Sequence, residues 1–446
     1  MPIVVADRFE LLAQAARGGM ASVWRARDLL SGAQVAVKTI AACGPSELAR
    51  FEREAALLAT LDHANVVAYI AHGANADGSR YLVEEWVEGA SLSAYLAHTG
   101  ATASEAVRIA IGVGDALGAV HRLGVLHRDV KPGNVILTGT TVKLVDFGIA
   151  RSVVDAGQLT GTGVLIGTPS YMSPEQSRGT TMIEPACDVW ALGCVLYEAL
   201  SGRKAFHGRT HEAVRAKVLL ANPEPLSTLC AEAPDALVAL VHAMLSKSPA
   251  ERPADGAAAS AALRAVLADV PDGPRRRVSG SEPPTRSIGL RAASESDVRA
   301  ANCFVFVKTL GDPDHTPPSV HISRVAERHG LAVHELDERA VLLVAAHRPG
   351  IEGAVAVARA AVDLDGAVRD SAMTVFAQRP GEPLEKALDR GAAALEQASM
   401  QMLFTDDDVA RAIPVDDLIA ELVGGEVAIE RTEGGAAAIP VRRGER

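Results

Sequence analysis

The chain has 446 residues, a hydrophobic content of 48% and a formal net charge of −11 at pH 7. Its length is sufficient for two or three domains with cores of their own. The acidic balance argues against a nucleic-acid binder, because such a protein needs a basic surface to neutralise phosphates.

Membrane and redox signals favour an ordinary cytoplasmic protein. No uninterrupted apolar run reaches the roughly 20 residues that span a bilayer, and the N-terminal stretch MPIVVADRFELL lacks the apolar core of a signal peptide. The five cysteines have no C-x-x-C spacing, which fits reduced thiols and argues against a disulfide framework or a zinc site. We therefore expect a cytoplasmic protein without a membrane span.

Residues 9–268 alternate strand-like and helix-like segments. The runs Gln34–Ile40 and Arg80–Val87 are rich in β-branched and aromatic residues and predict strands, and apolar residues spaced three and four apart predict a helix over Pro45–Leu61. The remainder is mainly helical, and CDVWALGCVLYEALSG predicts a helix that ends at Gly202. A strand-rich third followed by helices predicts two lobes with a cleft between them.

The stretch Val270–Ser287 is rich in Pro, Gly, Ser and Arg and has almost no large apolar residues. It cannot bury enough surface to fold alone, so we predict a flexible linker over 269–299. Strand and helix patterns alternate again from Ala300 onward, which predicts a small α/β accessory domain over 300–446 with a frayed C-terminus.

The stretch VLHRDVKPGNVIL, residues 125–137, places a carboxylate, an ammonium and a carboxamide on one loop between two apolar runs. Asp129 could accept a proton from a hydroxyl, Lys131 could neutralise a phosphate oxygen, and Asn134 could ligate a divalent cation through its carbonyl oxygen. Asp146 follows the apolar strand of KLVDFGIAR and provides a second cation ligand. A base, a lysine and two ligands for Mg²⁺ are the components of a phosphoryl-transfer site.

The order of these motifs resembles that of bacterial eukaryotic-like (Hanks-type) serine/threonine protein kinases. HRDVKPGN and DFG resemble the catalytic and metal loops of that family, VAVK resembles the strand with its phosphate lysine, and GTPSYMSPEQ indicates the bacterial subtype. The resemblance covers roughly residues 9–268. It implies the α+β, bilobal protein kinase fold, with a β-rich N-lobe and a helical C-lobe. It also implies an enzyme that transfers the γ-phosphate of ATP to protein serine and threonine hydroxyls.

The resemblance implies a catalytic role for four residues. Lys38 would bind the α- and β-phosphates and pair with Glu54 in the active enzyme. Asp129 would orient and deprotonate the substrate hydroxyl, and Lys131 would steady the transferring phosphoryl group. The position of Lys131 after RDV also indicates specificity for serine and threonine.

The resemblance also implies the residues that hold ATP and Mg²⁺. Asn134 and Asp146 would ligate the metal, and Asp146 would also lie against the nucleotide. The other contacts to ATP would come from the glycine-rich loop, the hinge and the walls of the adenine pocket: Arg17, Gly18, Gly19, Val23, Ala36, Lys38, Glu85, Val87 and Ile136. In the helical lobe, Glu175 would pair with Arg252.

Two departures from the family pattern bear on nucleotide binding. The glycine-rich loop has Ala16 and Ala21 where the family has glycine, and the added methyl groups restrict the backbone. Glu84 occupies the position of the usually apolar gatekeeper. In one interpretation it alters the nucleotide pocket or competes with Glu54 for Lys38, and in the other it turns aside to a polar partner. These departures raise the alternative of a pseudokinase scaffold, which the retained catalytic residues disfavour.

Thr160 and Thr162 lie in the activation segment that the resemblance implies, residues 146–175. One hypothesis is that both are autophosphorylated and that Arg128, next to Asp129, binds the added charge. The alternative is that both threonines are merely solvated. The expected partners are ATP, Mg²⁺ and protein substrates, without nucleic acid.

The pattern after Ala300 resembles the class III nucleotide cyclase domain, which has a ferredoxin-like core. Lys308 and Thr309 stand where that family has the first metal carboxylate, and Arg339 stands in place of the second. Because a cation cannot hold Mg²⁺, we expect no cyclase activity, which disfavours a bifunctional kinase–cyclase. The resemblance then implies a module that regulates the kinase or forms a homodimer; a generic α/β domain is the alternative.

Overall fold

The computed structural model describes most of the chain. The described ranges are 3–17, 21–40, 45–75, 79–139, 141–147, 169–178, 180, 183–208, 210–278, 302–309, 318–336, 340–345, 350–367, 371–379, 382–404, 412–423, 427, 429–431 and 437–440. Within these ranges no helix is both long enough and apolar enough to cross a lipid bilayer.

The strand-rich lobe is a six-stranded antiparallel sheet with the spatial order β1-β2-β3-β4-β6-β5. Its strands are β1 (Val4–Val5), β2 (Phe9–Arg17), β3 (Ala21–Asp28), β4 (Gln34–Ile40), β5 (Tyr69–Ala74) and β6 (Arg80–Glu85). Alternation along β4 separates the two faces of the sheet. Val35 and Val37 are buried in an apolar cluster on one face, so Ala36 and Lys38 face the opposite side.

Helix α1 (Pro45–Leu58) belongs to the core that joins the two lobes. Phe51 and Ala55 of this helix are buried in the same cluster as Ile40 and Leu82 of the sheet and the apolar residues of the helical lobe. Phe51 and Ala55 lie one helical turn apart, so the apolar stripe predicted from the sequence is the buried face of α1.

Two elements of this lobe are shorter than the sequence predicts. The helix predicted to Leu61 ends at Leu58, because the last two residues of the prediction bond to carbonyl oxygens three residues back rather than four. The strand predicted to Val87 ends at Glu85.

The helical lobe contains a small three-stranded sheet, in the order β7-β8-β9, among its helices. Its elements are β7 (Ala90–Ser91), α2 (Leu92–His98), α3 (Ala103–His121), β8 (Val135–Thr138), β9 (Thr141–Leu144), α4 (Pro174–Ser177), α5 (Ala186–Ser201), α6 (His211–Leu220), α7 (Leu226–Leu229), α8 (Asp235–Met244) and α9 (Gly256–Leu267). Every residue of α5 is buried. This helix ends as predicted at Gly202, which has a φ of 74° and donates its N–H to the carbonyl oxygen of Glu198.

Helices α3 and α9 approach each other closely through glycine. A Cβ atom at Gly118 would lie 2.8 Å from the backbone nitrogen of Ala257, and one at Gly256 would overlap Leu117. The contact places the start of α9 beside His121, whose Nδ1 accepts a hydrogen bond from the N–H of Gly256 at 3.1 Å. The Nε2 atom of His121 is thereby left to donate elsewhere.

The predicted linker falls into two parts in the structure. Up to Val278 the chain is bonded to the helical lobe: Arg276 exchanges backbone hydrogen bonds with Ala101 at 2.8 and 3.1 Å, and the N–H of Val278 donates to Leu96. The Arg276 guanidinium also pairs with Glu232 at 2.8 Å. Residues 279–299 of the predicted linker lie outside the described residues.

The C-terminal unit has a seven-stranded sheet with the order β11-β12-β10-β13-β14-β16-β15. Its elements are β10 (Cys303–Thr309), α10 (Pro318–His329), β11 (Ala332–Glu335), β12 (Ala340–Val344), α11 (Ile351–Ala367), β13 (Ser371–Ala377), α12 (Leu384–Phe404), β14 (Ala412–Val415), α13 (Asp417–Val423), β15 (Glu430–Arg431) and β16 (Ala437–Pro440). Helices α10, α11 and α13 pack on one face of the sheet, and α12 packs on the other. Arg339 lies outside the described residues.

The ion pair expected between Glu175 and Arg252 is present and buried. The Arg252 guanidinium donates to the two carboxylate oxygens of Glu175 at 2.7 and 2.9 Å, and its side chain is 0% exposed. It also donates to the backbone oxygens of Ser246 and Ala186. Arg252 therefore ties the first turn of α4 to two other parts of the helical lobe.

Replacing Arg252 by methionine should destabilise the protein by about 3–5 kcal/mol, because the carboxylate of Glu175 would stay buried without its partner. Equilibrium urea denaturation followed by the fluorescence of Trp190, which lies 5.0 Å from Arg252, measures the loss. The control is Arg264→Met, which breaks an ion pair whose arginine is 53% exposed and should cost about 1 kcal/mol or less. Equal losses in the two variants would contradict the prediction.

Candidate active site

The loop that carries Asp129 is anchored by a buried carboxylate on α5. The two oxygens of Asp188 accept hydrogen bonds from the backbone N–H groups of His127 and Arg128, both at 2.8 Å. His121 donates to the same carboxylate from Nε2 at 2.9 Å. Burial alone raises the pKa of Asp188, but the hydrogen bonds from the His121 ring and from the His127 backbone hold that pKa below its usual value. An ionised Asp188 thus fixes the backbone directly before Asp129.

His127, on the same loop, is a neutral imidazole. Burial lowers the pKa of His127. Its Nδ1 accepts from the N–H of Asp129 at 3.3 Å, so the proton lies on Nε2, which faces the carbonyl oxygen of Val145 at 3.1 Å. The ring also packs against Phe147 at a centroid distance of 4.7 Å. His127 therefore joins the Asp129 loop to the segment that contains Asp146.

Asp129, Lys131 and Asn134 converge as the sequence motif predicts. The Lys131 ammonium lies 2.8 Å from a carboxylate oxygen of Asp129. The Asn134 amide group donates to the backbone oxygen of Asp129 at 2.8 Å and to its carboxylate at 3.2 Å. Because the Nδ2 atom of Asn134 makes these bonds, its carbonyl oxygen is the atom that remains to ligate a cation. The carboxylate of Asp129 is held by two side chains on its own loop.

Lys38 and Asp146 meet across the cleft from positions 108 residues apart. The Lys38 ammonium donates to a carboxylate oxygen of Asp146. Burial raises the pKa of Asp146, but the charge and hydrogen bond of Lys38 outweigh burial and hold that pKa below its usual value. Asp146 has a φ of 61°, a left-handed conformation that costs roughly 1 kcal/mol or more outside glycine. The fold tolerates this strain at the proposed metal ligand.

Glu54 lies near the guanidinium of Arg128, whereas the family resemblance implies Lys38 as its partner in the active enzyme. Its carboxylate lies 4.0 Å from the guanidinium of Arg128, and the two side chains are 17% and 22% exposed. Among the described residues, the ion pair of Lys38 is with Asp146 and does not involve Glu54. The described arrangement therefore differs from the Lys38–Glu54 pair expected for the active enzyme.

The predicted walls of the adenine pocket lie on neighbouring strands. Ala36 of β4 is paired with Glu84 of β6, and Val23 of β3 is paired with Lys38 of β4. Ile136 lies on β8 in the helical lobe and is partly buried. Residues from both lobes are thus present at the two sides of the cleft.

The hinge between the lobes is fixed at Glu85. Its N–H donates to the carbonyl oxygen of Ala68, and its carboxylate accepts from the N–H of Ala68, both at 2.9 Å. The Lys143 ammonium pairs with the same carboxylate. Val87 follows, partly buried against the core of the helical lobe. These contacts hold the backbone that would bond adenine.

Glu84 is a buried carboxyl group in the cleft. The residue is 9% exposed, and burial, with the nearby charges of Asp146 and Glu85, raises its pKa to about 7, although Lys38 acts in the opposite direction. The charges of Lys38 and Asp146 both affect the pKa of Glu84, so its carboxyl group lies on the side of β6 that faces the pocket. Both interpretations of Glu84 stay predictions.

Some residues of the predicted site cannot be placed. Gly18, Gly19, Thr160 and Thr162 lie outside the described residues, as does the side chain of Arg17. Their roles stay predictions.

Two supporting residues were not identified from the sequence. Asp188 anchors the catalytic loop, and the Nε2 atom of Gln176 donates to the carbonyl oxygen of Arg128 at 3.1 Å. A signal for Asp188 was present, because it is the first charged residue of α5 and is followed by nine uncharged residues. An acidic residue on a helix that is buried all round needs a partner. Gln176 carried no comparable signal.

The arrangement suits a magnesium ion. The carbonyl oxygen of Asn134 and the carboxylate of Asp146 could supply two oxygen ligands, which fits Mg²⁺ because this ion usually completes its shell with phosphate and water. No group of three or more His, Cys, Asp or Glu side chains in the described ranges is arranged to hold a metal ion.

Comparison with known proteins agrees with this geometry. A family model described as "Protein kinase domain" matches residues 9–265, which is more than half of the chain. The chain belongs to the protein kinase domain family. In this kinase domain, the matched residues contain both lobes and the contacts of Lys38, Asp129, Asn134, Asp146 and Asp188 described above.

The chain is similar to two curated proteins. It is 40% identical over 264 residues to "Probable serine/threonine-protein kinase PknB" of Corynebacterium glutamicum, which covers 57% of this chain and 41% of that protein. It is 37% identical over 310 residues to "Serine/threonine-protein kinase PknA" of Mycobacterium tuberculosis (strain H37Rv), which covers 67% of this chain and 70% of that protein. The chain thus spans about two fifths of the length of the first relative.

A solved structure also matches the kinase domain. "Crystal structure of Rad53 1-466 in complex with AMP-PNP" aligns with a TM-score of 0.48 and 25% sequence identity, and the alignment covers 58% of this chain and 65% of that chain.

Replacing Glu84 by glutamine should stabilise the protein more at pH 8 than at pH 5.5. The folded chain keeps the Glu84 proton up to about pH 7, whereas the unfolded chain releases it near pH 4.5, so wild-type stability falls as the pH rises between these values. The extra stabilisation at pH 8 should be about 2 kcal/mol, measured by urea denaturation at both pH values.

The control for this prediction is Glu52→Gln, which removes a carboxylate from the exposed face of α1. A Glu84→Gln effect of equal size at the two pH values, or one matched by Glu52→Gln, would contradict the proposed origin.

Proposed function

We propose that the chain is an ATP-dependent serine/threonine protein kinase, of the non-specific serine/threonine type, which transfers the γ-phosphate of ATP to protein hydroxyl groups. The observation that carries the proposal is the convergence of Asp129, Lys131 and Asn134 on one loop, opposite the Lys38–Asp146 pair. Membership of the protein kinase domain family and the printed names of the relatives support the reaction and the serine/threonine specificity.

In this proposal each residue acts through the contacts described for it. Asp129 orients the substrate hydroxyl and takes its proton as the oxygen attacks phosphorus. Lys131, already next to Asp129, lies where it can neutralise an oxygen of the transferring phosphoryl group. Asn134 and Asp146 would hold Mg²⁺, which supplies neutralisation of the charge on the phosphate oxygens. Lys38 would bind the α- and β-phosphates.

The nucleotide would lie between the two lobes. Val23, Ala36 and Ile136 supply apolar walls, and the backbone from Glu85 to Val87 supplies the hydrogen bonds to adenine. Arg17, Gly18 and Gly19 would cover the phosphates. In this proposal Glu84 narrows the back of the pocket without preventing ATP from binding, because its carboxyl group is neutral below about pH 7.

Activation requires a change of partner at Glu54. The Lys38–Glu54 pair proposed for the active enzyme needs Glu54 to leave Arg128, from which it is 4.0 Å away. A phosphate on Thr160 or Thr162 adds about −1.5 to −2 charge and would compete with Glu54 for Arg128. Autophosphorylation at these threonines would thus favour the Lys38–Glu54 pair.

For the C-terminal unit, we propose a ferredoxin-like accessory domain related to the nucleotide cyclase domain but without cyclase activity. Its first four strands follow the order β11-β12-β10-β13 with antiparallel neighbours, and helices separate β10 from β11 and β12 from β13. This is the order of a βαββαβ ferredoxin-like core. Lys308, in place of the metal carboxylate, pairs with Glu212 of α6 at 2.7 Å, which supports a role in contacting the kinase domain.

Replacing Asp129 by asparagine should lower phosphoryl transfer by about a thousand-fold, because the proton acceptor is lost. Binding of Mg·ATP should persist, since Asp129 is not one of the proposed ligands. Transfer from radiolabelled ATP to casein and calorimetric titration with Mg·ATP measure the two quantities. The control is Asp62→Asn, which alters an exposed aspartate in the strand-rich lobe. Undiminished transfer by the Asp129→Asn variant would overturn the proposed function.

Incubation of the wild-type protein with Mg·ATP should add phosphate to Thr160 and Thr162. The double variant Thr160→Ala/Thr162→Ala should phosphorylate casein several-fold more slowly, since Arg128 then keeps Glu54. Peptide mass spectrometry before and after incubation locates the phosphate, with Asp129→Asn as the preparation that cannot modify itself. An active wild-type preparation in which both threonines are unmodified would refute the hypothesis.

A further inference from the structure

The C-terminal unit covers one face of a helix of the kinase domain. Ala213, Ala216 and Leu219, three residues apart along α6, are 1%, 0% and 4% exposed. They belong to the same apolar cluster as Phe304 and Phe306 of β10 and other residues of the C-terminal unit. Because residues three apart share one face of a helix, α6 presents a continuous apolar stripe to the C-terminal unit, where α12 packs against it. We name these contacts the α6 interface.

Two ion pairs lie at the α6 interface. The Lys308 ammonium is 2.7 Å from the carboxylate of Glu212. The Lys217 ammonium is 2.7 Å from the carboxylate of Asp389 and 2.6 Å from the backbone oxygen of His207. Each pair joins one residue of α6 to one residue of the C-terminal unit.

Lys217 of α6 is a buried lysine at the α6 interface. Its side chain is 2% exposed, and a lysine is almost never fully buried unless it is paired. The carboxylate of Asp389 supplies that pair. The C-terminal unit thus supplies the charge partner of a lysine that is buried at the α6 interface.

Helix α6 is connected to the catalytic loop by two hydrogen bonds. Arg215, on the same helix, is 5% exposed and donates from Nη2 to the carbonyl oxygen of Ser177 at 2.8 Å. The preceding residue, Gln176, donates to the carbonyl oxygen of Arg128 at 3.1 Å. Arg128 directly precedes Asp129, so α6 contacts the segment that contacts the catalytic loop.

We propose that the C-terminal unit positions the part of the kinase site that takes the protein substrate. By docking on α6 it keeps Arg215 in contact with the segment 173–178, and that segment in turn holds the catalytic loop. Lys308 and Asp389 are the positioning residues on the C-terminal side. The proposal rests on the proposed kinase function and adds a role for residues 302–440 in it.

The same geometry predicts which steps the α6 interface affects. The contacts lead to residues 173–178 and to the backbone before Asp129, whereas Lys38, Ala36 and Glu85 lie on strands of the other lobe. Loss of docking should therefore impair use of a protein substrate and leave ATP binding intact. A module that merely stabilised the whole chain would weaken both together.

The test uses charge reversal across one ion pair in the full chain. Lys308→Glu and Glu212→Lys each place like charges at 2.7 Å, and the double variant Lys308→Glu/Glu212→Lys restores opposite charges. Ala216→Glu, at the centre of the apolar stripe, is the stronger disruption. The matched control is Arg328→Glu, which reverses a charge of the C-terminal unit that is 66% exposed and pairs within that unit.

Three measurements are made on each variant: kcat and KM with casein as acceptor, Mg·ATP affinity by calorimetry, and amide hydrogen exchange. Each single variant should lower kcat/KM for casein by about five-fold or more, with ATP affinity within about two-fold of wild type. Exchange should accelerate at residues 126–134 and 173–178 and stay unchanged at 34–40. The double variant should recover both, and Arg328→Glu should behave as wild type.

The proposal is overturned if the single variants and Ala216→Glu all keep wild-type kcat/KM, if they phosphorylate casein faster, or if ATP affinity falls in parallel. This outcome can be told apart from failure of the proposed kinase function. If the wild-type protein transferred no phosphate, hydrogen exchange would still show whether docking on α6 protects residues 173–178. Unchanged exchange there in every variant also overturns the proposal.

Discussion

The arrangement of the site depends on one buried carboxylate. Asp188 accepts the two backbone N–H groups directly before Asp129 and the ring N–H of His121, and it does so from a helix that is buried along its whole length. His121 in turn is fixed by the N-terminus of α9, which reaches it because glycine permits the close approach of α3 and α9. The catalytic loop is thus held by the core of the helical lobe. Side chains on that loop need only short contacts with one another to be oriented.

Local motifs indicated which residues lie together on the Asp129 loop, whereas contacts between distant elements were predicted less completely. The loop from Asp129 to Asn134 is short, so its residue types and spacing determine most of its geometry. Glu175 and Arg252 were paired correctly because the family resemblance supplied the match. Asp188 was not recognised, since its position on an apolar helix indicated the need for a partner but did not indicate that the catalytic loop supplies it through backbone N–H groups. Glu54 was predicted for one conformation, and the structure has it beside Arg128.

The fold was predictable where periodicity was strong. The strand β4 and the helix α5 with its terminal Gly202 agree with the sequence pattern, because alternation and a buried helical run are unambiguous signals. The first residues of the predicted linker are instead bonded to the helical lobe as far as Val278. Their composition gave no indication of this, since the bonds come from the backbone and from Arg276. The α6 interface was equally hidden, because the stripe of Ala213, Ala216 and Leu219 reads as an ordinary buried helix face.

Lys308 has an evolutionary consequence for the C-terminal unit. At the position where the cyclase resemblance expects a metal carboxylate, its ammonium is committed to Glu212 of another domain. An aspartate at this position would set two carboxylates against each other, so such a substitution would first require a compensating change on α6. Each partner thereby constrains the substitutions that the other can accept.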